Sequence, residues 1–113
     1  MNNKDIAQKI ANVLSAKKAR DLIVIDVIER SSFADYLILA TGGSERQVGT
    51  LSSEVLDQMA KDGVVAKSIE GKQNSGWILM DYGDIIVNIF SEEQRNHYNI
   101  EKIWGDCCFI EIE

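Results

Sequence analysis

The 113-residue sequence contains no proline, one histidine and two cysteines. Each scarcity narrows what the chain can be. With no proline and no Gly/Ser-rich stretch, nothing marks a linker, and a single domain is expected. Cys107 and Cys108 are adjacent, a spacing that disfavours an unstrained disulfide, so no disulfide framework is implied and a reducing compartment fits. Together with the lone His97 they fall short of the three or four well-spaced ligands that zinc requires, and no metal is expected. No apolar run reaches the length of a membrane span. The beginning, MNNKDIAQKI, has no apolar signal core, and a cytoplasmic location is expected. Basic residues are also few. Twelve Lys and Arg face eighteen Asp and Glu, a net charge of −6, which argues against ordinary nucleic-acid binding.

The charge is uneven. Residues 1–20 hold five basic residues and one acidic, and residues 81–113 hold eight acidic and two basic. An acidic C-terminal third suits a basic partner, and an acidic surface also serves solubility. Hydrophobic residues make up 45% of the chain, enough to build a core.

The hydrophobic pattern predicts an order αββαβββα. A first helix runs from about Lys4 to Lys18, capped by Asn2 or Asn3, with Ile6, Ile10, Val13 and Leu14 on one stripe. "DLIVIDVI" (21–28) and "YLILAT" (36–41) read as buried strands. Gly42-Gly43 break the second strand. Ser44 caps the next helix, with Gln47 completing a capping box. Val48, Leu51, Val55 and Met59 form its stripe, and Gly63 ends it. A short strand falls within Val64–Glu70 and a loop follows to Gly76. Then "WILMDYGDIIVNIF" (77–90) forms a hairpin. Ser91 caps a last helix bearing Ile100, Ile103 and Trp104, which stops at Gly105. The tail "CCFIEIE" suits an edge strand. The fold class is α/β or α+β, a single mixed sheet of four or five strands flanked by helices, which can cover one face well and leave part of the other open. Residues 1–106 form the domain and 107–113 a short C-terminal tail.

The hairpin poses a question. A half-buried strand alternates apolar and polar residues, yet Trp77 to Met80 and Ile85 to Val87 are unbroken apolar runs. Both faces need a cover, and an exposed apolar patch is one outcome.

Catalytic signatures are sparse. "ATGGSERQ" (40–47) is a strand, a Gly-rich turn and a helix start, which can hold an anion but lacks the Lys-Ser/Thr of a P-loop. A similar turn opens nucleotidyltransferase folds, whose metal ions need paired carboxylates on a following strand. Only Glu54 and Asp57 on a helix, and Asp81 and Asp84 about a turn, come near that. A tight turn and a helix cap explain the segment better. His97 has no Ser or Cys signature around it, and Asp26 sits oddly inside an apolar run. No cofactor is expected. What remains are interface-type residues: Trp77, Met80, Tyr82, Arg95, Tyr98 and Trp104. Trp104 shares a stripe with Ile100 and Ile103 and reads as core. Trp77 suits core or interface equally. Strict alternation would put Trp77 and Met80 on opposite faces.

The motifs "ADYLILATGGSERQ" (34–47), "EG" (70–71), "WILMDYGDIIVNIF" (77–90) and "RNHYNIEKIWGD" (95–106), in this order, resemble the ribosomal silencing factor family, also called Iojap-like proteins. The resemblance implies a nucleotidyltransferase-related fold without that catalysis. It implies binding to ribosomal protein L-fourteen of the large subunit, steric obstruction of subunit joining, repression of translation when nutrients are short, and a part in large-subunit assembly. Docking is then expected from the hairpin and the start of the last helix, with Trp77 and Met80 as apolar anchors, Tyr98 as an aromatic contact, and Arg95, Asp81 and Asn88 as polar ones. Many family members carry His where this chain has Asn88. Two rivals stand beside this reading: a nucleotidyltransferase-like enzyme that binds metal and nucleotide, and a homodimer that uses the apolar hairpin as its self-interface.

Overall fold

The computed structural model describes residues 2–98 and 108–110. Helix α1 spans Asn3–Ala16, and Asn2 caps it by accepting a hydrogen bond from the Asp5 amide. Its buried Ala7, Ile10, Ala11 and Leu14 share one stripe. Strands β1 (Arg20–Asp26) and β2 (Tyr36–Gly42) pair antiparallel. Helix α2 covers Glu45–Lys61 and buries Val48, Leu51, Val55 and Met59. Strand β3 (Ser68–Glu70) is short and exposed. A 3-10 turn at Gln73–Ser75 leads into β4 (Trp77–Asp81) and β5 (Ile85–Ser91). Helix α3 spans Glu92–Tyr98, and β6 is Cys108–Ile110.

The sheet has six strands in the order β3-β4-β5-β2-β1-β6. β2 and β5 run parallel at its centre, and every other pair is antiparallel. The expected order of elements holds. The sixth strand is the edge strand anticipated in the tail, and it extends the sheet beyond the four or five strands expected. Ile100, Ile103, Trp104 and Gly105, placed by sequence on the last helix, lie outside the described residues.

The capping expectations are met with one refinement. Ser44 Oγ accepts from the Gln47 amide at 3.1 Å, and Gln94 N donates to Ser91 Oγ at 3.2 Å. The Gln47 side chain accepts from Gly43 N at 2.6 Å rather than from the cap residue itself. Gly63 closes α2 at φ +77°. β1 departs from the buried strand predicted over 21–28. It ends at Asp26, whose Oδ1 accepts from Ile28 N at 3.1 Å and turns the chain. Its first residues are exposed, and the pairing register shifts between Arg20 and Ile23.

Alternation along the strands separates two cores. Tyr36, Ile38, Ala40, Ile78, Met80, Ile85, Val87 and Ile89 pack with the stripes of α1 and α2. Ile25, Val27, Ala34, Leu37, Leu39 and Phe90 form a second cluster on the opposite face, flanked by the partly buried Ile23, Trp77 and Ile86. β2 is buried along its whole length because both faces are apolar and covered. The helices flank the sheet on both faces, as the fold class expected. α3 lies on the second, where Arg95 Nη1 donates to Thr41 Oγ1 at 2.9 Å.

Candidate docking site

Strict period two in β4 decides which hairpin residues face outward. Ile78 and Met80 point to the helices, whereas Trp77, Leu79 and Asp81 keep partial exposure on the other face. Cross-strand register sets Trp77 beside Phe90, Leu79 beside Asn88 and Asp81 beside Ile86. The indole and the Phe90 ring are 5.1 Å apart, tilted by 32°, within the range favoured by aromatic pairs. Trp77 Nε1 donates to Asn88 Oδ1 at 3.0 Å. The indole is therefore held in one orientation from two sides, by a ring and by an amide.

A cavity of about 300 Å³ opens beside the indole, lined by Glu70, Gly71, Ser75, Trp77, Leu79 and Gln94. Gly71 is required there. Its φ is +88°, and a Cβ would run into the Trp77 carbonyl oxygen. Ser75 Oγ is committed to the turn, bonded to Lys72 O at 2.7 Å and Trp77 O at 3.0 Å.

The expected contact residues divide. Trp77 and Asp81 are accessible on the second face. Asp81 Oδ1 also accepts from Gly83 N at 2.7 Å, holding the hairpin turn, in which Gly83 takes φ +92°. Asn88 is 3% exposed and accepts the Trp77 hydrogen bond instead of facing the surface. Met80 is a correction: at 0% exposure it lies in the helix-side core, on the opposite face from Trp77. Arg95 is another. It is 5% exposed, and its guanidinium ties α3 to β2 instead of offering a surface contact. Tyr98 is the last residue of α3. Leu79 and Glu70 were not among the expected contacts. The alternation from Trp77 points to Leu79, and the "EG" motif contains Glu70.

Several of the groups considered for catalysis are engaged within the fold. Glu54 pairs with Lys17 at 3.2 Å, and Asp84 Oδ2 accepts from Asn3 Nδ2 at 3.0 Å. Arg20, beside Gly43, pairs with Glu92. Among the described residues no group of three His, Cys, Asp or Glu is placed to hold a metal ion. No helix among them is long and apolar enough to cross a membrane. Burial raises the Tyr82 phenol to about 12, and its hydroxyl is buried with no hydrogen-bond partner among the described residues. Tyr36 is also raised, by burial first and then by Asp26 and Asp35.

Comparison with known proteins agrees with the motifs. Residues 1–113 match the family model described as "Ribosomal silencing factor during starvation". The ribosomal silencing factor RsfS of Bacillus subtilis is 34% identical over 113 residues, the whole of this chain and 96% of that one. The chloroplastic protein Iojap of Zea mays is 34% identical over 106 residues, 94% of this chain and 46% of that protein. A crystal structure of a Chromobacterium violaceum protein superposes with a TM-score of 0.89 at 32% identity, covering 93% of this chain and 88% of that one. The chain belongs to the ribosomal silencing factor family, and its relatives' names place it among regulators of translation.

Proposed function

We propose that this protein docks on ribosomal protein L-fourteen of the large ribosomal subunit and blocks joining of the small subunit by occupying the shared surface. Family membership supports the ribosome as the target. The observation that carries the choice of surface is the partly exposed row of Trp77 and Leu79 on the second sheet face, which the described helices do not fully cover. An aromatic side chain held in place before binding suits an anchor, because little freedom remains to be lost on docking. The acidic C-terminal third complements a basic ribosomal protein. Obstruction of this kind needs no turnover, metal or nucleotide. It acts wherever ribosomes are, which for the bacterial relatives is the cytoplasm.

Co-sedimentation with purified large subunits tests the reading. Wild type is expected to pellet with them and to slow subunit association followed by light scattering. Trp77→Ala, shown folded by circular dichroism, should bind about thirtyfold more weakly, a loss of about 2 kcal/mol. Wild type that stays in the supernatant would refute ribosomal docking. A dimer that persists at nanomolar concentration would assign the face to self-association instead.

A further inference from the structure

The two residues of the "EG" motif differ in what the fold asks of them. Gly71 is required by its positive φ and by the approach of the Trp77 carbonyl. Glu70 is exposed at the end of edge strand β3, in register with Leu79. Among the described residues no hydrogen bond or ion pair engages its carboxylate, and the same holds for the Gln94 side-chain amide. Both line the cavity beside Trp77. The fold therefore leaves a carboxylate and an amide at a hollow whose apolar walls are an indole and a leucine.

Size and charge narrow the occupant. About 300 Å³ is at the bottom of the range of small-molecule sites and suits one long side chain. Among the described residues the one charged side chain lining the hollow, Glu70, is acidic, so phosphate-bearing ligands are disfavoured and a cation is favoured. Trp77 and Leu79 suit an apolar stem. A flat guanidinium can lie on an indole while it pairs with a carboxylate, a combination a compact ammonium makes less well.

We propose that the cavity between Glu70, Trp77 and Gln94 receives an arginine side chain of the docked partner, its guanidinium paired with the Glu70 carboxylate. This rests on the docking reading above and adds the chemistry that the partner must present.

Two measurements test it. In the first, the free protein is titrated with N-acetyl-arginine-methylamide, its citrulline analogue and its lysine analogue, and followed by ¹H–¹⁵N NMR. The arginine compound should shift the amides of Gly71, Leu79 and Gln94, and the uncharged citrulline compound of the same shape should not. No shift with arginine, an equal shift with citrulline, or a stronger response to lysine overturns the assignment. In the second, wild type and Glu70→Gln are compared in equilibrium binding to large subunits at low and high salt. Among the described residues no hydrogen bond or ion pair holds the Glu70 carboxylate, so the variant should melt as wild type does. It should bind about tenfold more weakly at low salt, with the gap narrowing as salt rises. Equal affinities would overturn the cavity assignment and leave the docking reading standing. A gap that ignores salt would overturn a cationic occupant. Failure of wild type to bind would remove the docking reading and the partner's arginine with it.

Discussion

The contact between Trp77 and Asn88 can be tested by a double-mutant cycle. Trp77→Phe keeps a ring against Phe90 but removes the indole N–H, leaving an amide that is 3% exposed without the donor now 3.0 Å away. A buried polar group stripped of its partner costs about 1–3 kcal/mol. Trp77 itself is only half buried, so water can reach its side of the bond and the lower end applies. About 1 kcal/mol is expected for Trp77→Phe. Asn88→Ala removes the acceptor and some packing, for about 1–2 kcal/mol. In the double variant neither half of the bond remains unsatisfied, so the total should fall short of the sum by about 1 kcal/mol. Urea denaturation of the four proteins, with a common slope, measures this coupling. Losses that add to within about 0.3 kcal/mol would refute the claim that the bond orients the indole energetically. A coupled pair should also appear in binding, with Asn88→Ala weakening large-subunit affinity although Asn88 is almost inaccessible to a partner.

Two further outcomes follow from the hairpin and its neighbours. Tyr82→Phe removes a buried hydroxyl that has no partner among the described residues and should stabilise the protein by about 1 kcal/mol, read as a higher denaturation midpoint. The Tyr82 phenol is raised in the folded state from 10.0 to about 12. The contribution of its neutral form is thus complete below pH 10 and lost as pH rises towards 12. Tyr82→Phe should flatten that alkaline decline, and an unchanged pH profile would contradict the burial of the hydroxyl. Gly71→Ala combines a positive φ with a clash against the Trp77 carbonyl. It should destabilise by more than about 1 kcal/mol and disturb the cavity. A variant as stable as wild type would mean that β3 does not approach β4 as described.

Much of this was readable in the sequence because it depends on near neighbours. Asn2, Ser44 and Ser91 cap helices through backbone groups a few residues away, so their roles follow from local spacing. Stripes such as Val48, Leu51, Val55 and Met59 follow from the helical repeat, and the doubly apolar hairpin correctly announced a sheet with demands on both faces. The family motifs were likewise legible as ordered strings of residues.

Which neighbour answers which residue was settled only by tertiary structure. Met80 and Trp77 are both large, apolar and in one strand. Alternation separates them, and the packing of α1 and α2 decides that Met80 is the buried one. Arg95 reads as a surface cation, yet it meets Thr41, more than fifty residues away in the chain, because α3 crosses the second face. Asn88 gains its role from a partner across the hairpin, and Glu70 gains a cavity only when β3 lies against β4. Local spacing dictates hydrogen bonds and stripes within an element. The exposure of a side chain depends on what the rest of the chain places over it.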